Sequence, residues 1–118
     1  MNKKIHQEIK VCIVIPSLEP NERLITLLRE LQQQLQDEQY AWIKTKTIIV
    51  NDGSSDEYTP IYYMAEKNYD CIILRHAVNL GKGRALKTAF NYFLNEFPDF
   101  DGLVTVDSDG QHLAEDII

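Results

Sequence analysis

Four short apolar runs punctuate the chain, and between them apolar residues recur every three or four positions. The first run, residues 11–15 (VCIVI), is continuous and β-branched, the pattern of a central parallel strand covered on both faces. It predicts a strand that stops at Pro16. Leu24, Leu27, Leu28, Leu31 and Leu35 then fall at helical spacing among Arg, Glu and Gln, which predicts an amphipathic helix over residues 21–36. Residues 45–50 (TKTIIV) read as a second strand, closed by the turn cluster Asn51-Asp52-Gly53-Ser54-Ser55-Asp56. A shorter helix is expected at 58–68, a third strand at 71–74 (CIIL) and a loop at 79–83. Leu86, Ala89, Phe90, Phe93 and Leu94 mark a further helix that ends before Pro98, and residues 103–106 (LVTV) form the fourth strand.

Strands alternating with helices imply parallel pairing through right-handed crossovers. The expected fold is therefore α/β, a Rossmann-like αβα sandwich with a mostly parallel central sheet. At 118 residues the chain suits one domain. In such a sheet the carboxyl ends of the strands share one edge, where ligands bind. Every polar or glycine-rich motif follows such an end: residues 17–22, 52–56, 76–84 and 107–112.

Charge sharpens that picture. The formal net charge of -6 disfavours a nucleic-acid backbone or an anionic membrane as the main partner. Yet residues 71–95 contain no Asp or Glu while holding Arg75, Lys82, Arg84 and Lys87, a basic island that points to a local anion site. Asn79-Leu80-Gly81-Lys82-Gly83-Arg84 joins flexible backbone, two cations and a helix start, a combination that favours bound anions. It is neither a Walker A loop nor a dinucleotide GxGxxG. Cys12 and Cys71 each open an apolar run and read as small core residues, with no zinc or redox spacing. With no secretory leader and no apolar stretch approaching the roughly 20 residues of a membrane helix, a reducing cytoplasm is expected.

Asp107-Ser108-Asp109 carries the metal chemistry. Residues two apart on an extended strand end point the same way, so Asp107 and Asp109 can present carboxylates to one hard cation, Mn²⁺ or Mg²⁺, shared with a substrate's phosphates. Alone, the triplet is equally an acidic turn pivoting on Gly110; convergence with the other loops favours the metal. Asp52 is expected at the rim of the crevice as an acceptor for a nucleobase or ribose, leaving Ser55 or Asp56 to cap the next helix. His76 and His112 flank the same crevice, although a lone loop histidine is commonly incidental. The tyrosines Tyr58, Tyr62, Tyr63 and Tyr69 read as packing or surface residues.

Taken in order, IVIPSLEPNERL, IIVNDGSSD, HAVNLGKGRALKTAF and VTVDSDGQH resemble the successive motifs of family 2 glycosyltransferases of GT-A fold, especially a bacterial branch whose metal motif reads Asp-x-Asp-Gly-Gln-His. The resemblance implies a nucleotide-diphospho-sugar donor, usually UDP-linked, and a glycan or lipid acceptor. It implies that Asp52 recognises uracil, that Pro16, Ser17 and Glu22 lie in the first loop beside the base, and that Gly81, Lys82 and Arg84 lie close to nucleotide or phosphates. Asp107, Ser108 and Asp109 would serve ribose, diphosphate and metal. Many relatives carry Asn-Glu where Glu19-Pro20 stands here. In the family the acceptor-binding part and the catalytic base follow the metal motif, so the general base is expected beyond Ile118 and no residue of this sequence is assigned to it. The chain is accordingly expected to be the donor-binding part of a longer enzyme, inactive by itself. Any membrane association would then belong to the remainder.

Three other functions compete. A haloacid dehalogenase-type phosphatase has Asp-x-Asp-Gly-Thr/Val on its first strand, whereas here the motif comes last and Gln111 follows the glycine. A nucleotidyltransferase would show a glycine-rich basic loop after the first strand, which residues 16–22 do not offer. A non-catalytic nucleotide-binding module shares all the features above and differs only in lacking transfer.

Overall fold

Seven elements follow one another in the computed structural model of the chain, which describes residues 8–107: β1 (Ile9–Ser17), α1 (Glu22–Leu35), β2 (Ile43–Asp52), α2 (Thr59–Tyr69), β3 (Ile72–His76), α3 (Lys82–Glu96) and β4 (Gly102–Thr105). Two single 3₁₀ turns, Glu38–Tyr40 and Asp56–Tyr58, precede β2 and α2. The strands form one sheet in the order β3-β2-β1-β4, parallel throughout.

Alternation along β1 explains the layers. Ile13 and Ile15 pack with Leu24, Leu27, Leu28 and Leu31 of α1 and with Tyr62 and Ala65 of α2. Cys12 and Val14 face the other way, against Ala85, Ala89 and Phe93 of α3. Each fully buried leucine or isoleucine contributes roughly 1.5–3 kcal/mol by leaving water. Right-handed crossovers place α1 and α2 on one face while the chain steps from β1 to β3, and α3 on the other when it returns past β1 to β4. The result is the expected αβα sandwich.

Local chemistry sets the ends of the helices. Asn21 caps α1, its side chain accepting the Arg23 N–H at 2.9 Å. Pro60 sits in the first turn of α2, where its missing N–H costs nothing, and Asp70 closes that helix at φ 55°. Neither Ser55 nor Asp56 caps α2 by a side-chain hydrogen bond; the cap position belongs to Tyr58, and the Ser55 hydroxyl donates to Glu57 Oε1 at 3.3 Å. No helix among the described residues is long and apolar enough to cross a membrane.

Several boundaries depart from the apolar pattern: β2 (Ile43–Asp52) outruns residues 45–50 at both ends and takes in Asn51 and Asp52, β3 (Ile72–His76) runs on past residue 74, and β1 and α3 shift as well. β1 does not stop at Pro16 but runs on to Ser17, in register with Val50 and Asn51 of β2. The physical reason lies in the alternation of backbone groups. The Val14 carbonyl accepts Val106 N–H on the β4 side, so Pro16, two residues on, turns its nitrogen to that same side, beyond the last β4 pair at Thr105. No ladder bond is lost. β1 also begins at Ile9, whose N–H donates to the Trp42 carbonyl. α3 begins at Lys82 because the Gly81 carbonyl already accepts Ala85 N–H, which draws Lys82, Gly83 and Arg84 into its first turn. Cys12 and Cys71 are free and buried, and burial pushes their thiols up to about 11 and about 12, so both are inert core residues.

Candidate functional site

Ser17, Asp52 and His76 end β1, β2 and β3, and Asp107 lies two residues past the end of β4. All four therefore reach the same edge of a parallel sheet. The chain leaves β1 toward β2 and comes back on its other side at β4, so the topological switch point, the usual ligand crevice of such sheets, falls between β1 and β4.

Asp52 is the most connected of the predicted residues. It is 4% exposed and stands opposite His76 in the β2–β3 register. Its Oδ1 accepts the Leu80 N–H at 2.9 Å and meets His76 Nδ1 at 2.7 Å; its Oδ2 accepts the Gly81 N–H at 2.9 Å. Desolvation pushes this carboxyl's pKa up, but the bonds from Leu80, His76 and Gly81 and the charge of a protonated His76 outweigh it and hold the group below its ordinary 3.8. An ionised carboxylate has roughly four acceptor positions. Three are taken inside the protein, leaving one on Oδ2. Asp52 is thus buried beneath the Asn79–Gly81 turn rather than standing open at the rim.

The turn itself depends on two glycines. Gly81, at φ 96°, directs its N–H into both Asp52 and the Asn79 side chain. Gly53, at φ 80°, lies so close under the backbone of Val78 and Asn79 that a Cβ there would overlap it. The loops after β2 and β3 are therefore packed main chain to main chain.

A second network joins the loops after β1 and β2. The buried Tyr62 hydroxyl lies 3.0 Å from Ser17 Oγ and 2.9 Å from Ser54 Oγ, and Ser54 Oγ accepts the Glu19 N–H at 2.8 Å. That bond holds Glu19 at φ 48°, a left-handed conformation uncommon outside glycine. Asn51 Oδ1 accepts the Ser54 N–H at 2.9 Å and fixes the turn from the β2 side. Ser17 is 3% exposed. Tyr62 is a packing residue, as its sequence context implies, and its hydroxyl also organises this corner.

At the switch point Lys82 Nζ meets Asp107 Oδ1 at 3.0 Å, tying the start of α3 to the end of β4. The two side chains are 64% and 36% exposed, so the pair adds little stability and its value is positional. Arg84 is exposed in the same first turn, which holds no acidic residue. Two cations at the positive end of a helix dipole are unfavourable unless an anion sits among them. Asp107 is a hard oxygen donor of the type Mn²⁺ or Mg²⁺ takes, and its Oδ1 here is engaged by the Lys82 ammonium, which a metal would have to displace or share. No group of three or more His, Cys, Asp or Glu side chains that could hold a metal occurs among the described residues, so a cation here would draw further ligands from phosphates or from outside them. Ser108, Asp109 and His112 lie outside the described residues, as does Ile118, beyond which the general base is expected.

The remaining candidates are less engaged. Pro16 is half-buried in β1, and Glu22 is exposed at the first residue of α1. No hydrogen bond or ion pair among the described residues joins Glu22 or Arg84 to the cluster. His76, expected to flank the crevice, is instead buried, with its Nε2 2.8 Å from Thr88 Oγ1 on α3. Sequence reasoning gives Thr88, Ser54 and Asn51 no place in the site. The available signal is His76 directly after CIILR, which places it on a strand and not in a loop.

Comparison with known proteins follows the same lines. A model of the family described as glycosyl transferase family 2 matches residues 12–117. A curated relative, the dolichyl-phosphate beta-glucosyltransferase ALG5A of Trichomonas vaginalis, is 29% identical over 108 residues, 84% of this chain. The chain spans 32% of that relative's length. Among solved structures, the crystal structure of S. aureus TarS superposes with a TM-score of 0.63 at 19% identity, over 86% of this chain and 17% of that one. At that identity the likeness concerns the fold.

Proposed function

This chain belongs to glycosyl transferase family 2, and from that premise we propose that it forms the donor-binding part of a glycosyltransferase, holding a nucleotide-diphospho-sugar, UDP-linked, at the carboxyl edge of its sheet. The observation that carries this reading is the Lys82–Asp107 contact at 3.0 Å at the switch point, a cation and a carboxylate side by side at the edge where such sheets bind ligands, which supports a diphosphate there. Lys82, Arg84 and the first-turn amides of α3, which have no acceptor within the helix, bind the diphosphate. Gly81 lets the backbone approach it. Pro16, Ser17 and Glu22 border the base, and the one remaining acceptor position on Asp52 takes a base N–H. Ser108 belongs to the same donor motif as Asp107 and Asp109.

Asp107 and Asp109 would hold Mn²⁺ or Mg²⁺. Once bound, the ion supplies Lewis-acid stabilisation of the departing diphosphate. Transfer is a property of the whole protein, whose general base and acceptor site we place outside these residues. The acceptor is a glycan or lipid, and the likeness to a relative named for dolichyl-phosphate makes a lipid phosphate the first candidate to try. The Asp-x-Asp-Gly-Gln-His sequence at 107–112 is the basis for a bacterial branch, with the donor site working in the cytoplasm at the inner face of the membrane.

Calorimetric titration tests this reading. UDP is expected to bind more tightly with Mn²⁺ than without, and Asp109→Asn to remove that difference while leaving metal-free binding in place. Metal dependence that survives the substitution would remove Asp109 from the metal site, and a chain that binds no UDP would end the donor reading.

A further inference from the structure

Thr88 lies seven residues beyond Gly81, the cap residue that precedes α3, roughly 10 Å further down the helix axis. Both positions connect to the same buried pair. Gly81 donates its N–H to Asp52, whose other oxygen meets His76 Nδ1 at 2.7 Å, and His76 Nε2 lies 2.8 Å from Thr88 Oγ1. The bonds thus run from the middle of α3 through β3 and β2 back to the turn that begins α3. A helix held at one point can tilt or slide about it. Held both at its cap and two turns further on, it has its height over the sheet fixed.

The residue types suit this task. Imidazole is a rigid spacer with a hydrogen-bonding nitrogen at each end. Toward an ionised Asp52, Nδ1 carries the proton and donates. Toward Thr88, Nε2 accepts when the ring is neutral and donates when it is charged, and a hydroxyl can answer either state. The contact therefore survives a change of protonation that would break a bond to a pure donor or a pure acceptor. Thr88 is half-buried, one helical turn beyond Arg84, and has no part in the donor contacts above.

We propose that His76 and Thr88 are positioning residues which, through Asp52, set the Leu80–Gly81 amides and the first turn of α3 at the ligand edge. The consequence for affinity rests on the donor reading given above. Thr88→Val keeps the side-chain volume and removes the hydroxyl; Thr88→Ser keeps the hydroxyl. In the valine variant, amide hydrogen exchange followed by NMR is expected to quicken about fivefold at Leu80 and Gly81, the usual worth of one net hydrogen bond, while core amides such as Val14 and Ile49 keep their protection. UDP affinity is expected to fall by a similar factor, and the serine variant to recover most of both. Unchanged exchange at Leu80 and Gly81, or a rise shared equally by the core, overturns the positioning role. A wild-type chain that binds no UDP removes the donor reading, and the exchange comparison then still decides whether Thr88 positions the turn.

Discussion

Replacing Asp52 with alanine is expected to lower the unfolding free energy by about 3–5 kcal/mol, read from urea denaturation, because the buried His76 Nδ1 and the Leu80 N–H then lose their acceptor and the Gly81 N–H keeps only Asn79 Oδ1. Against the roughly 5–15 kcal/mol that holds a typical domain folded, that is a large fraction. Asn should restore little of it. An amide offers one oxygen, and its NH₂ would face either the Gly81 N–H or the Leu80 and His76 donors. The same geometry gives a pH signature. Since the folded carboxyl titrates below 3.8, its stabilisation is complete above that value and is lost as pH falls through the depressed one. Wild type should therefore lose stability below about pH 4 more steeply than Asp52→Asn. Parallel acid profiles for the two chains would show that Asp52 does not hold the turn.

The sheet, its direction and the edge where the motifs gather all follow from the apolar runs, because burial of both faces of a strand leaves a mark on every residue in it. The end of β1 is misread at Pro16 for a definite reason. A proline is harmless wherever its nitrogen faces away from a partner strand, and which side it faces depends on where β4 stops. Asp52 draws attention as a ligand group because it follows an apolar strand. Its buried bonds depend on the β2–β3 register, which sets it opposite His76, and on α3 lying on the His76 face. Neither is encoded within a short window. Thr88, one residue in a helix with no motif around it, is visible only once that helix is in place.

Gly53→Ala is expected to destabilise the chain by about 2–5 kcal/mol, combining roughly 1–2 for a left-handed backbone with roughly 1–3 for overpacking. At φ 80° a new Cβ would drive into the backbone of Val78 and Asn79 and lie 2.8 Å from the Val78 carbonyl oxygen. Backbone cannot rotate aside as a side chain does. Gly81→Ala provides the comparison that isolates this effect. Gly81, at φ 96° and ψ 158°, occupies a region open essentially to glycine alone, yet nothing lies within 4 Å of a Cβ there, so only the strain of about 1–3 kcal/mol applies. If the loops after β2 and β3 are locked together as the bonds to Asp52 imply, alanine at 53 must also pull Leu80 and Gly81 from its carboxylate, and both stability and UDP affinity should fall further than for alanine at 81. Equal losses for the two variants would mean that these loops separate freely, and that the ligand edge is shaped by strain at Gly81 without support from the strand beneath it.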